Sequence, residues 1–366
     1  MSGLRGVKGA GSHAPRPPVV RRVLRRPGPE ASPPARALLE GLTCVSSQEG
    51  ELVLPCVPSL AEALGRRVVS TIFPDGPARP DEAVRVHREL AIALRRGFEA
   101  SPYSVVRLRY AQQRRRLLRL AIQVESQPVG EHFDRFYGRQ GDRGFDPWPD
   151  AKVLEMAGAS GPPSRTPVLE LGPGVGRNAL ALARLGHPVT VLELSTALAQ
   201  RVRERAAGES LPVHVVLGDV SAGPLPAHAE GYALVTASRL VPHLRDAAAL
   251  RRLAERCADV LRPGGALLFD VFLAAPGTAP EPVVRELAHR RDSLLCTREE
   301  LQAVLNGLPL TLLASEPVVD FESRHRPPGR WPAQPWFEGW AGGTHMFPDD
   351  PTPRPMELHW ISCRRR

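Results

Sequence analysis

Cysteine, lysine and long apolar runs are what this chain has least of. Its five cysteines, Cys44, Cys56, Cys257, Cys296 and Cys363, stand far apart with no Cys-x-x-Cys pair and no Cys/His spacing. That pattern excludes a zinc framework and a disulfide scaffold, predicts no metal site, and leaves buried reduced thiols as the expected state. No stretch approaches the roughly 20 apolar residues that a membrane-spanning helix needs. The first 30 residues also lack the apolar segment of a secretory signal, so a soluble cytoplasmic protein without membrane attachment is expected.

Lysine occurs only as Lys8 and Lys152, so arginine carries almost all of the formal +9 charge. The excess is localised. Between residues 1 and 36 eight basic residues face one acid, Glu30, and Arg364 to Arg366 add three more, which leaves the rest of the chain close to neutral. A strongly basic protein invites a nucleic-acid partner. A near-neutral body argues against one, and RNA recognition assisted by the basic arm stays a secondary alternative.

The order of segments suggests three parts. Residues 1–36, rich in Pro, Gly and Arg, cannot bury enough apolar surface to offset ordering and are expected to form a disordered basic arm. Residues 37–127 read as a small α+β module: "SLAEALGRRVVSTIF" as a helix followed by a strand, "DEAVRVHRELAIALRRGFEA" as an amphipathic helix, and "SVVRLRY" with "RLLRLAIQV" as a hairpin. No motif in it carries chemistry, and a dimerising or docking role is the expectation, with a homodimer formed through this module. Residues 128–366 form the third part. It opens with the irregular "GEHFDRFYGRQGDRGFDPWPD" and then alternates strand and helix from Thr166 onward, the signature of right-handed crossovers and a parallel sheet covered on both faces. The strands expected are "PVLEL", "PVTVLEL", "VHVVLGDV", "YALVTAS", "GALLFDVF", "LTLLASEPVVDFES" and "MELHWISCR".

The centre of that part is "PVLELGPGVGRNALALARLGHPVTVLEL", Pro167 to Leu194. Gly172, Gly174 and Gly176 allow close backbone approach, and the helix after them aims its N-terminus at whatever lies over the turn. From Gly174 the sequence also satisfies the dinucleotide form G-x-G-x-x-A, so a nicotinamide or flavin cofactor competes on this turn alone. In either case Glu193, at the end of the second strand, is placed to accept hydrogen bonds from a ribose. Further along, "LGDV" places Asp219 at the end of the third strand, 26 residues past Glu193, and "LRRLAERCADVLRPGGALLFDVF" reads as a helix, a turn at Pro263 to Gly265, and a fifth strand.

Taken in order, E-x-G-x-G-x-G, the acid after the second strand, G-D after the third and L-x-P-G-G before the fifth resemble the class I S-adenosylmethionine-dependent methyltransferases. Within them, "FDRFYGR" followed by "PWP" is similar to the tellurite-resistance-type and small-molecule enzymes. The resemblance implies an α/β, Rossmann-like, seven-stranded sheet, mostly parallel with an antiparallel last strand. It implies S-adenosylmethionine as cofactor, with Gly172, Gly174 and Gly176 passing its methionine part and Glu170 near its ammonium. It also implies Glu193 on the ribose, Asp219 and Val220 about the adenine, the Ser238 region beside the sulfonium, and Tyr137 closing over the methionine. The exit of the fourth strand, "SRLVPHL", lacks the asparagine-proline-proline-aromatic motif of enzymes that methylate nucleic-acid bases or protein glutamine.

Methyl transfer is an in-line displacement at a carbon bound to a sulfonium, so it requires a nucleophile held in line, and a general base only when that nucleophile arrives protonated. His243 and His345 are the candidate bases. Arg239, Asp270, Trp336 and Trp340 are candidate acceptor contacts; the last two belong to a long aromatic insertion at about 322–356 that also holds Trp331, Phe337 and Phe347. That insertion serves either as a wall of the site or as a satellite core. The expected function is methyl transfer to N or O of a small molecule or peptide in natural-product biosynthesis, a ribosomally made peptide being one version. RNA methylation using the basic arm and a non-catalytic S-adenosylmethionine-binding module are the alternatives.

Overall fold

A computed structural model describes residues 49–74, 76–113, 117–332, 334–344 and 356–366. The chain opens with strand β1 (Glu49–Pro55), then helices α1 (Ala61–Ile72) and α2 (Pro80–Ala100), then the hairpin strands β2 (Val105–Gln113) and β3 (Leu117–Glu125). β2 pairs with both neighbours, antiparallel, in the order β1-β2-β3. Helix α2 buries Val86, Leu90, Ala93, Leu94 and Gly97, the three-to-four spacing of one face, over this sheet. The hairpin and α2 follow the sequence expectation; "SLAEALGRRVVSTIF" does not. Its β-branched "VVSTI" remains helical because Leu64, Val68 and Ile72 recur every four residues and are buried against the same core, so tertiary packing overrides strand propensity. Residues 1–36 and the start of the 37–127 module, through residue 48, lie outside the described residues.

Helices α3 (Val129–Gln140) and α4 (Ala151–Ala159) lead into the second part, and the segment expected to be irregular is thus helical over most of its first half. The alternation then runs β4 (Val168–Leu171), α5 (Arg177–Arg184), β5 (Val189–Glu193), α6 (Thr196–Gly208), β6 (Val213–Leu217), β7 (Tyr232–Ala237), α7 (Ala247–Val260) and β8 (Leu261–Ala274). Next come α8 (Pro282–His289), the two-residue β9 (Leu295–Cys296), α9 (Arg298–Leu305), β10 (Leu310–Pro317), α10 (Val318–His325), α11 (Pro335–Ala341) and β11 (Met356–Arg365).

The main path of the large sheet has the order β10-β11-β8-β7-β4-β5-β6, with β9 added beside β8. β4, β5, β6, β7 and β8 pair in parallel, whereas β11 is antiparallel to both β8 and β10. Every residue of β4 and of β7 is buried, as strands covered by helices on both faces must be. The Rossmann-like, mostly parallel sheet with an antiparallel last strand is therefore present. Two expectations need correction. "PVVDFES" is helix α10 rather than the end of a strand, because Pro317 breaks the ladder and Val318, Phe321 and Glu322 turn inward at helical spacing. Pro263 to Gly265 form no free turn but a stretch of β8, where the register against β7 shifts between Tyr232 and Leu234.

Strand order reverses at β4, which sends one crossover to β5 and, on the other side, neighbours β7. Such a reversal opens a crevice at the carboxyl ends of the two strands, the place where open α/β sheets bind ligands. The small N-terminal unit closes over one side of that crevice. Ser59 donates from its amide and its hydroxyl to Glu286 of α8 at 2.8 and 2.7 Å, and Arg290 donates to the carbonyls of Pro102 and Ser104, both at 3.2 Å.

Candidate active site

A cavity of about 840 Å³ occupies the crevice, a size within the usual range for a site holding small molecules. At one end lies the glycine turn after β4. Gly172 has a φ of 65°, and a Cβ there would stand 2.6 Å from Leu240 Cδ1; Gly174 has a φ of 57° and lies under Phe145. Only glycine adopts this backbone without strain while leaving the turn open to a ligand. Gly176, also at positive φ, starts α5 and packs on Val202 and Leu180 rather than on the cavity.

Three acids end successive strands around that turn. Glu170 is 2% exposed; its Oε1 accepts from Asn178 Nδ2 at 3.1 Å, while its Oε2 is buried with no hydrogen-bond partner among the described residues. Burial pushes its pKa up to about 7 against the pull of Arg177 and Asn178. Glu193 accepts from the amides of Ser195 at 2.9 Å and Gly174 at 3.1 Å, so it ties the end of β5 to the glycine turn. Burial raises it to about 7 as well, although those amides pull it down. Two lone-pair positions remain on such a carboxylate for a ligand. Asp219 Oδ1 is held by the Ser221 amide and hydroxyl, both at 2.7 Å, and Val220 lines the cavity beside it.

Beneath the turn lies a buried set of charges. Arg326 reaches Asp146 and Asp150, both at 2.9 Å, and Glu322 at 2.7 Å. Arg177 pairs with Asp150 and donates to Ser238 Oγ at 2.9 Å, and Ser238 in turn donates to Asp150 at 2.6 Å. Arg239 reaches Asp146 at 2.8 Å and lies over the Phe337 ring at 4.0 Å. Burial alone would raise Asp150, but the surrounding arginines Arg177, Arg239 and Arg326 outweigh it and hold the group far below the usual carboxylate range. Ionised groups this deep persist only when paired and hydrogen-bonded, as these are.

The opposite end is assembled from distant segments. His243 follows β7, Phe133 meets its ring edge-on at 5.0 Å, and its Nδ1 stands 3.4 Å from Asp292 Oδ1 and 3.3 Å from the Tyr103 hydroxyl. Tyr103 itself donates to Asp292 and stacks on His132 at 3.6 Å. Glu99 to Pro102, from the end of α2 and the loop after it, line the cavity here, so the N-terminal unit is part of the wall. Trp336 and Trp340 line it from α11. Trp340 Nε1 donates to the Arg291 carbonyl at 3.0 Å, and Trp336 is 43% exposed.

Most of the residues expected to act together thus surround one space: Glu170, Gly172, Gly174, Glu193, Asp219, Val220, Ser238, Arg239, His243, Trp336 and Trp340. Three sit elsewhere. Tyr137 turns to Asp142 and Phe145, and α3 presents Phe133 and Phe136 to the cavity instead. Asp270 is buried behind the wall, where both its oxygens accept from the Arg239 amide, at 2.8 and 3.0 Å. It fixes a residue held at φ 55° rather than meeting a ligand. Gly176, as above, shapes the helix start. His345 and Phe347 lie outside the described residues. The aromatic insertion serves both expected roles at once, since Phe337 is buried in the core with Trp331 and Trp340 packed against it, while Trp336 and Trp340 also line the cavity. Asp292 and Tyr103 sit in segments without a motif and carry no signal readable from sequence. Arg177 and Asp150 had a visible signal, a charged residue beside the glycine turn and another just before a helix.

Residues 168–265 match the family model described as a methyltransferase domain. No curated protein matches the chain. Among solved structures, a candidate sarcosine dimethylglycine methyltransferase from Galdieria sulphuraria is 16% identical with a TM-score of 0.47, covering 64% of this chain and 98% of its own. Geranyl diphosphate C-methyltransferase from Streptomyces coelicolor A3(2) is 17% identical with a TM-score of 0.43, covering 59% and 79%. The [4+2]-cyclase SpnF is 16% identical with a TM-score of 0.44, covering 65% and 94%. Likenesses at these scores carry no argument about this chain. The family model makes residues 168–265 a methyltransferase domain, and the motif-bearing sheet that contains them is that of the class I S-adenosylmethionine-dependent methyltransferases. The protein is an enzyme, and S-adenosylmethionine is its cofactor.

Proposed function

We propose that the protein transfers the methyl group of S-adenosylmethionine to nitrogen or oxygen of a small molecule or short peptide in natural-product biosynthesis. One observation carries this reading: a single cavity joins the acids and glycines of the methyltransferase motifs to a second, aromatic end large enough for an acceptor. The residues present suit the cofactor. Glu170 Oε2, without a partner among the described residues, is a ready acceptor for its ammonium, the side-chain-free turn at Gly172 and Gly174 lines the cavity where its methionine chain would pass, and Glu193 and Asp219 stand in sequence for ribose and adenine. When bound, the cofactor supplies an activated methyl group on a cationic sulfur. The protein's own work is to align the acceptor, exclude water and take up a proton.

An acceptor enclosed by Trp336, Trp340, Phe133 and the loop after α2 must be small or extended, which favours a compact molecule or a peptide terminus over a nucleic-acid duplex. Incubation with methyl-labelled S-adenosylmethionine and defined pools of phenols, alcohols, amines, linear peptides and structured RNA tests the acceptor class. Label in the RNA pool alone would overturn the reading. Calorimetry with S-adenosylhomocysteine against NAD tests the cofactor end, where Glu193→Ala is expected to weaken S-adenosylhomocysteine by about tenfold or more through loss of charge-assisted hydrogen bonds.

A further inference from the structure

At the acceptor end three groups from three segments settle each other's protons. Tyr103 has one hydroxyl hydrogen, and it is spent on Asp292. The Nδ1 of His243 therefore faces two atoms that can only accept, the Asp292 carboxylate at 3.4 Å and the phenol oxygen of Tyr103 at 3.3 Å. A ring nitrogen in that position must carry the hydrogen itself. Neutral His243 is then the Nδ1–H tautomer, and Nε2 keeps its lone pair with no partner among the described residues, on a side chain that lines the cavity.

Building on the proposed methyl transfer, we infer that His243 is the general base of this enzyme, that Asp292 and Tyr103 are its positioning residues, and that its acceptor is a hydroxyl or ammonium that arrives protonated. In the step itself the acceptor's O–H or N–H proton passes to His243 Nε2 as its lone pair forms the bond to the methyl carbon. The carbon–sulfur bond breaks, its electron pair stays on sulfur, and the cationic donor leaves as neutral S-adenosylhomocysteine. The imidazolium so formed is countered by Asp292 at its other nitrogen.

The environment supports this division of labour. Burial would raise Asp292, yet the hydrogen bond and charge of His243 and the Tyr103 hydroxyl outweigh it and keep the carboxyl below its ordinary range, so a negative charge is in place. Burial, then the charge and hydrogen bond of Asp292, push the Tyr103 phenol far upward, so it stays a donor and does not compete as a base. His132, stacked flat on Tyr103, and Phe133, edge-on to His243, pack against the two rings and hold them in place. Tyr103 lies in the loop between α2 and β2, so the N-terminal unit contributes to acid–base chemistry and is more than a docking accessory.

The test uses the full-length protein saturated with S-adenosylhomocysteine and labelled with ¹⁵N-histidine, His243→Gln supplying the assignment. At a pH where the ring is neutral, Nδ1 is expected to carry the hydrogen and Nε2 to resonate as an unprotonated nitrogen. Asp292→Asn and Tyr103→Phe should shift the population toward the Nε2–H form. A native ring protonated at Nε2 overturns the inference, and that result is independent of any acceptor. As a second measurement, methyl-labelled S-adenosylmethionine is offered with catechol, tyramine and a pentapeptide with a free N-terminus. His243→Gln should lower transfer by about a hundredfold or more, and Asp292→Asn and Tyr103→Phe by at least about tenfold, in kcat rather than in KM. Transfer by His243→Gln at the native rate overturns the inference. Failure of the native protein to bind S-adenosylhomocysteine would instead remove the methyltransferase reading on which it rests.

Discussion

The two ends of the cavity are built in opposite ways. The cofactor end comes from one run of chain, residues 170–220, in which each strand delivers one acid and the first turn delivers the glycines. The acceptor end is gathered from the loop after α2, from α3, from the segment after β7, from the loop after α8 and from α11. Backbone topology alone places the first, because consecutive parallel strands must end on the same side of the sheet. Side-chain pairing across distant segments places the second. A site of this kind can keep one ligand while its other wall is rebuilt by changing loops.

The comparison breaks first at the floor that both ends share. Arg326 is 1% exposed and bridges Asp146, which lines the acceptor side, to Asp150, which supports Arg177 and Ser238 beside the glycine turn. Arg326→Ala takes one of the counter-ions from each of Asp146 and Asp150, which keep Arg239 and Arg177, and leaves the buried Glu322 carboxylate without its ion-pair partner, a loss on the order of 3–5 kcal/mol. Urea unfolding should register it, and both S-adenosylhomocysteine binding and methyl transfer should fall with it. A change below about 1 kcal/mol would show that the two ends do not depend on a common base.

A smaller effect should touch the cofactor end alone. Burial holds both Glu170 and Glu193 protonated up to a pKa of about 7, whereas the unfolded chain would ionise them near their ordinary 4.5. The unbound native state therefore binds more protons than the unfolded state between those values, and its stability falls as pH rises from about 4.5 through about 7. Seating an ammonium against Glu170 favours the ionised carboxylate, so S-adenosylhomocysteine affinity should move the other way. It is expected to rise by up to about tenfold per pH unit between pH 5 and 6.5. Above about 8 it should fall again as the ligand's own ammonium deprotonates. Calorimetry in buffers of different ionisation enthalpy should detect proton release below pH 7. In Glu170→Gln both the release and the slope should shrink.

The same contrast governs what was legible before any coordinates. The glycine turn, Glu193, Asp219 and the order of the sheet strands were readable because each is local: a strand period, a turn residue, an acid at a strand end. "PVVDFES" reads as a strand from its Val-Val pair, whereas the break at Pro317 and the inward aim of Val318, Phe321 and Glu322 make it helix α10. Asp292 could not be found, since a lone acid after a helix has no distinguishing pattern; its role depends on Tyr103, 189 residues away. His243 was recognisable as a candidate from its place after β7, but its orientation depends on that distant pair. Tyr137 was chosen for its ring, whereas the packing of α3 brings Phe133 and Phe136 to the cavity.

The smallest expected effect sharpens the contrast from the acceptor side. Trp336 and Trp340 sit four residues apart on α11 with ring centroids at 6.0 Å, but they are held differently. Trp340 is tied down by its bond to the Arg291 carbonyl and by its edge-to-face contact with Phe272 at 5.0 Å. Among the described residues Trp336 meets only the rings of Phe337 and Trp340, and it is exposed. Trp336→Ala should therefore leave the unfolding midpoint and S-adenosylhomocysteine affinity nearly unchanged while raising KM for the acceptor severalfold, equivalent to about 1 kcal/mol of lost ring contact. Trp340→Ala should lower stability as well, because it removes a half-buried ring packed against the core. If both substitutions cost stability equally and neither moves KM, the aromatic segment belongs to the core, and the acceptor must be bounded by the loop after α2 and by α3 instead.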